Sequence, residues 1–218
     1  MQTLLIWQLV DSAFPSGGFA HSWGLEAAYQ AGEVTTDAEL ERFLADSIWQ
    51  AGHGMLPFVN AAHDSPAAAA TLDDLCDGFL VNAVANRASR AQGKALLSGC
   101  ARIWPGADVR ALDARGALPC AHLAPVTGAA MRTLGIERAV AQQMTLFVAA
   151  RGVLAAAVRL GIVGPFRAQQ LQHACGPRIA AVRVRCERME PAHSTQTAPL
   201  ADLLQSAHDR LYSRLFQS

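Results

Sequence analysis

Val140-Ala-Gln-Gln-Met-Thr-Leu-Phe-Val-Ala-Ala-Arg-Gly-Val-Leu-Ala-Ala-Ala-Val-Arg-Leu-Gly-Ile162 repeats its large apolar residues at helical intervals. Val140, Met144, Phe147, Leu154, Val158 and Ile162 form one stripe. Alanine, the strongest helix former, fills much of the rest and lets neighbouring helices approach closely. Arg151 and Arg159 stand inside the most apolar part of this span, which argues against a membrane helix because charge near a bilayer centre is costly. Arg151 lies on the stripe itself. It must therefore find helix-end carbonyls, a subunit contact or a polar internal cavity.

The rest of the chain fits an all-α reading. Of 218 residues, 51% are apolar but only 6% aromatic, and few β-branched runs occur. That length suffices to bury roughly 70% of the unfolded surface. Acidic and basic residues balance at 18 each, with no basic block of the kind that marks a nucleic-acid binder. Five cysteines, Cys76, Cys100, Cys120, Cys175 and Cys186, lack any C-x-x-C spacing and suggest neither a zinc knuckle nor a disulfide framework. Met1-Gln-Thr-Leu-Leu-Ile-Trp7 has no basic segment or cleavage site, so a soluble, cytoplasmic protein is expected.

Local signals divide the chain into helices. A short first helix stops at Pro15-Ser-Gly-Gly18, and a second runs from about Ser22 to Ala31 with Gly32 as its C-terminal glycine. Thr36-Asp-Ala-Glu39 is a capping box opening a helix with Leu40, Phe43, Leu44, Ser47 and Ile48 on one side. Pro57 starts another helix. After the linker His63-Asp-Ser-Pro66 come an alanine-rich helix and one from about Leu72 to Cys100. Trp104 to Pro119 reads as a mobile loop. Further breaks fall at Gly135, Gly161 to Pro165 and Gly176-Pro177. The expectation is a single-domain helical bundle of about eight to ten helices, with residues 1–190 as core and 191–218 as a C-terminal docking tail.

Catalytic signatures are missing. The only Gly-Lys pair, Gly93-Lys94, has Ala88 where a phosphate loop needs glycine and Ala95 where it needs a hydroxyl. No H-E-x-x-H, G-x-S-x-G or G-x-G-x-x-G occurs. No catalytic residue, cofactor or stable metal site is expected. The alternative is a free-standing metal-binding metallochaperone using Cys120, His122, His173 and Cys175. Cys120-Ala-His122 and His173-Ala-Cys175 place thiol and imidazole two residues apart, a spacing that points them about 200° apart on a helix but lets them converge on a loop.

Two segments look built for association. Ser12-Ala-Phe-Pro-Ser-Gly-Gly-Phe-Ala-His-Ser-Trp-Gly-Leu-Glu26 is a Pro/Gly turn entering a helix, with Phe19 expected exposed and Trp23 expected in the core. From Pro199 onward, Leu200, Leu203, Leu204, Ala207, Leu211 and Leu215 keep helical spacing, while His208, Tyr212 and Phe216 form a second column. A helical tail this apolar either packs on its own body or meets a partner.

Phe14-Pro-Ser-Gly-Gly-Phe-Ala-His-Ser-Trp-Gly-Leu-Glu-Ala-Ala28 and His208-Asp-Arg-Leu-Tyr-Ser-Arg-Leu-Phe-Gln-Ser218 resemble the N- and C-terminal signatures of the urease accessory protein UreF family. Leu56-Pro-Phe58, Gln92-Gly93, Ala95-Leu-Leu97, His122-Leu-Ala-Pro125, Val153 to Leu160 and Val163-Gly-Pro165 also match in order. Pro165-Phe-Arg-Ala168, followed by Gln172 and His173, resembles the plant branch more than bacterial members with Pro-Leu-Gly-Gln. The resemblance implies an all-helical, non-enzymatic scaffold, a homodimer that binds UreD (UreH in some organisms). It would recruit the GTPase UreG to apo-urease for nickel insertion, with no nucleic-acid or membrane partner. It implicates Phe19 and Arg214 in UreG recognition and Tyr212, Leu215 and Phe216 in tail docking. His21, Trp23, Glu26, His208 and Ser213 lie in the same signatures, and Arg151 joins them as a candidate partner-binding residue.

Overall fold

In the computed structural model, which describes residues 2–114 and 117–218, all regular structure is helical. Helix α1 (Gln2–Val10) leads through the Pro/Gly turn to α2 (Leu25–Gln30), which ends where Gly32 takes the left-handed conformation at φ 79°. The Thr36 hydroxyl accepts from the Glu39 amide at 3.3 Å, and the Glu39 carboxylate accepts from the Thr36 amide at 2.9 Å. This box opens α3 (Asp37–Gly54), as its sequence predicts. Backbone N–H donation from Thr35, with Thr36 behind it, holds the Glu39 carboxyl down at about 2. Pro57 sits in the first turn of α4 (Leu56–Asp64), where its missing N–H costs no helical hydrogen bond.

The expected Leu72–Cys100 helix is two helices, α5 (Ala69–Phe79) and α6 (Ala83–Ile103). The side chain of Asn82 divides them by accepting from the amides of Val84 and Ala85 at 3.0 and 3.3 Å. The segment read as a loop contains α7 (Ala107–Asp113), whose Val109 is buried and whose Leu112 packs on the core. Burial of two apolar residues one turn apart outweighs the turn-forming residues around them. Residues 115 and 116 of that segment lie outside the described residues.

The core is one continuous cluster built around α4, α8 (Leu123–Thr133) and α9 (Arg138–Arg159). Helices α4 and α8 touch backbone to backbone at Gly128, where any Cβ would collide with the Val59 carbonyl. Helix α9 is long and apolar enough to cross a bilayer by length and composition, yet 56% of that window is buried inside the fold. It packs against α2, α3, α4, α8, α10 (Pro165–Ala174) and α11 (Gly176–Cys186). Two buried side-chain amides in this core are paired with each other and with helix-end carbonyls. Gln142 donates to Asn60 at 2.7 Å, and Asn60 donates to the Cys186 and Met189 carbonyls at the end of α11. Arg151 follows the same rule. Its guanidinium donates to the Val10 carbonyl at the end of α1, and burial lowers its pKa.

The last helix, α12 (Pro199–Ser206), is shorter than its apolar spacing predicts. One 3-10 turn follows at Ala207–Arg210, and residues 211–218 are not helical. The expected column of His208, Tyr212 and Phe216 is thereby undone. His208 and Phe216 are buried, whereas Tyr212 is fully exposed. The cause lies across the fold, in α2.

Candidate partner-binding surface

Glu26 stands in the first turn of α2 with its side chain 1% exposed. Its carboxylate accepts from the Leu215 amide at 2.6 Å, the Phe216 amide at 3.2 Å and His208 Nε2 at 2.9 Å. Those amides would face solvent or carbonyls of their own turn if the tail were a continuous helix. A buried carboxylate needs donors, so it extends the chain locally to obtain them. His208 is completely buried, and its Nδ1 has no hydrogen-bond partner. Placing the proton on Nε2 is the assignment that avoids burying an unpaired N–H.

The Pro/Gly turn closes over the same segment. The Ser22 amide and hydroxyl donate to the main-chain oxygen of Ser218 at 2.6 and 3.0 Å, the Gln217 amide donates to the Ala20 carbonyl at 2.8 Å, and His21 Nδ1 lies 2.5 Å from the Ser218 hydroxyl. Burial, and secondarily the neighbouring His208, lowers the pKa of His21. The turn's shape depends on two successive left-handed residues, Trp23 at φ 59° and Gly24 at φ 84°. Positive φ is unfavourable for a tryptophan, and the ring is held by its contact with α9. A Cβ on Gly152 would come within 2.5 Å of the Trp23 indole nitrogen. Trp23 is thus half-buried against the core, in line with its sequence reading.

A residue not singled out from sequence joins the two segments. Arg159, in the last turn of α9, lies between the rings of Phe19 and Phe216, 4.4 and 4.1 Å from their centroids. It also donates to the Phe19 carbonyl at 2.7 Å and the Leu215 carbonyl at 3.2 Å. Its position two helical turns after Arg151 was the available signal, but spacing alone does not show what an exposed arginine will cover.

What remains outside this clasp is apolar and uncovered. Phe19 is 66% exposed and Leu215 61%, with Leu200 and Leu203 exposed along α12. Polar contacts frame the tail. Arg87 chelates Asp209 at 2.7 and 2.9 Å, Arg214 lies 3.6 Å from the same carboxylate, and Gln30 donates to the Ser213 carbonyl at 2.9 Å. Ten of the eleven candidate residues therefore belong to the turn, α2 or the tail. The eleventh, Arg151, is engaged with α1 instead.

Metal-ligating side chains converge elsewhere. Among the described residues one group of three or more gathers, Asp77, Cys120 and His122, and it includes neither His173 nor Cys175. The Cys175 thiol donates to the Gln172 carbonyl of its own helix. The four-residue set read from the sequence is not assembled.

Known proteins resemble this chain in sequence over nearly its whole length. The UreF family model matches residues 34–176, which hold α3 through α10. Urease accessory protein F of Oryza sativa subsp. indica is 38% identical, the match covering 96% of this chain and 83% of the relative. Urease accessory protein F of Arabidopsis thaliana is 37% identical, covering 97% and 91%. Urease accessory protein UreF of Trichodesmium erythraeum (strain IMS101) is 30% identical, covering 99% and 96%. The matches to these relatives span nearly the whole chain at higher identity for the two plant proteins, and this all-helical chain belongs to the UreF family of urease accessory proteins.

Proposed function

We propose that the chain is a non-enzymatic scaffold of urease maturation. Its clasped tail docks UreD (or UreH), and the Phe19 and Arg214 side of the same surface recruits the GTPase UreG to apo-urease for nickel insertion. The carrying observation is the uncovered apolar set Phe19, Tyr212 and Leu215, in which Glu26 holds the Leu215 amide and Arg159 holds the Phe19 and Leu215 carbonyls. Large exposed apolar side chains on a backbone anchored by such contacts suit protein association, because less ordering of the main chain is needed on binding. Arginine and tyrosine at such a surface are frequent anchors of binding energy. The scaffold acts as a homodimer in the cytoplasm, and GTP chemistry belongs to the partner.

Co-purification with UreD and UreG homologues from the same organism tests this reading. The unaltered chain is expected to retain both partners, and Tyr212→Ala combined with Leu215→Ala to lose UreD while keeping native helicity. Equal retention of both partners by the double variant counts against it. Adding the chain to UreG with nickel and bicarbonate measures any effect on GTP hydrolysis, and turnover of GTP by the chain alone would refute the non-enzymatic assignment.

A further inference from the structure

Just before α8, at residues 120–122, the chain makes a short turn that presents a thiol and an imidazole to the same point. Cys120 and His122 flank Ala121, whose φ of 56° is, with Trp23, one of two left-handed non-glycine residues among those described. The turn is held by Asp73, fully buried, whose carboxylate accepts from three successive amides: Cys120 and Ala121 at 2.8 Å and His122 at 2.7 Å. Beneath it, Gly93 of α6 lies so close to Ala121 and His122 that a Cβ would strike their backbone. The alternation expected of a helix is thus abolished. On this turn, residues two apart can serve one ligand.

One helical turn beyond Asp73 on α5, Asp77 completes the group. The ligand atoms of Asp77, Cys120 and His122 all lie within 4.8 Å of one another. Donors sharing one first-row ion at bond lengths of about 2.0 to 2.3 Å stand roughly 3 to 4 Å apart, so small side-chain rotations close the set. His122 Nε2 is 3.0 Å from Asp77 Oδ1, and its Nδ1 is 3.1 Å from the Ser89 hydroxyl. That second contact is what a metal-bound imidazole requires. Ser89 Oγ, itself fixed by the Leu123 amide at 3.1 Å, accepts the ring proton when Nε2 turns to an ion. Cys120 is also the one free cysteine of the five that is not fully buried.

We propose that Asp77, Cys120 and His122 form a three-ligand site for one borderline-soft divalent ion, of the Zn(II) or Ni(II) class, with a fourth position open to solvent or a partner. Thiolate and imidazole select this class over Mg(II) and Ca(II), which take oxygen ligands. Three protein ligands with one open position give a site able to pass its ion on. Binding releases the Cys120 thiol proton to solvent, while the His122 ring proton resides on Nδ1. Arg90 lies 3.7 Å from Asp77 Oδ1 and opposes the incoming charge. This assignment does not rest on the scaffold reading and stands or falls separately.

The test uses the full chain, reduced and metal-free, titrated with Zn(II) and with Ni(II) in separate calorimetric experiments. One ion per chain is expected, with a thiolate-to-Ni(II) charge-transfer absorption band and no comparable binding of Mg(II). Cys120→Ser should remove the band and weaken binding by about tenfold or more, Ser89→Ala should weaken it about tenfold, and Cys175→Ser should change neither. Arg90→Ala should tighten binding, an effect that a purely structural Asp77 would not produce. Alkylation of Cys120 in the unaltered chain gives a readout independent of variant folding, and bound metal should slow it about tenfold or more. Retention of Zn(II) alone or of Ni(II) alone at this site supports the proposal and identifies the ion. Failure of both ions to bind one-to-one, an unprotected Cys120, or binding that survives Cys120→Ser with Asp77→Asn overturns it.

Discussion

The Glu26 carboxylate and the His208 imidazole meet at 2.9 Å where 1% and none of their side chains are exposed, across 182 residues of sequence. This pair, with the Leu215 and Phe216 amides, converts a helical repeat in the tail into an extended strap. Glu26→Ala leaves three donors without their acceptor, those of His208 and Phe216 buried and that of Leu215 part-buried. The expected loss is about 3 to 5 kcal/mol of stability, read from urea unfolding, with faster amide exchange at Leu215 and Phe216. A variant of unchanged stability and exchange would show that the strap holds without the pair.

Arg159→Lys is expected to behave almost as badly as Arg159→Ala. An ammonium group cannot lie flat between the Phe19 and Phe216 rings while donating to the Phe19 and Leu215 carbonyls. The exposed site limits the cost to about 1 kcal/mol, but partner capture should fall in both variants. Full capture by the lysine form would make charge alone sufficient.

The His21 ring is neutral in the folded protein because burial, then His208, lowers its pKa from 6.5. The unfolded chain therefore binds the proton more readily. The stability from this group is complete above the unfolded value and is lost as pH falls through the lower folded value. Urea midpoints compared at about pH 7.5 and about pH 5.5 should diverge more for the unaltered chain than for His21→Gln. An equal acid sensitivity in the two would assign the loss to other groups.

Tyr212→Ala and Arg214→Ala should leave stability within about 0.5 kcal/mol while weakening partner retention, since Tyr212 is fully exposed and Arg214 makes only a 3.6 Å surface contact. Thermal unfolding beside co-purification separates the two effects. A large fall in melting temperature would make them folding residues.

Gly128→Ala, by contrast, should destabilise the core by about 1 to 3 kcal/mol or more, because its Cβ would meet the Val59 carbonyl across the α4–α8 contact. Gly164→Ala is the control, with open space around its Cβ position.

Much of this architecture is readable locally. Thr36, Glu39, Gly32 and Pro57 act through neighbours within four residues, and each occupies the role its sequence context predicts. The α9 stripe, the exposure of Phe19 and the half-burial of Trp23 follow from composition and turn chemistry. What escaped reading depends on groups distant in sequence. The tail's spacing is helical, but Glu26 competes for its amides from the other end of the chain. Asp73 does the same for residues 120–122, so the thiol and imidazole converge where a helix would separate them. Helix α7 forms because Val109 and Leu112 reach the core, a contact no window around them reveals.

Polar ties fasten the strap and α12 beside the buried Phe216 and the packed Ala201 and Leu204: Gln50 to Thr197 and Ala198, Asn82 to Asp202, and Arg87 to Asp209. Leu200 and Leu203 of that helix add little burial. Fastening of this kind is expected to let the segment open at lower free energy than the bundle beneath it, which amide exchange would read. Because the Arg87 bridge is solvent-exposed, rising ionic strength is expected to weaken that tie, whereas buried apolar contacts are not screened.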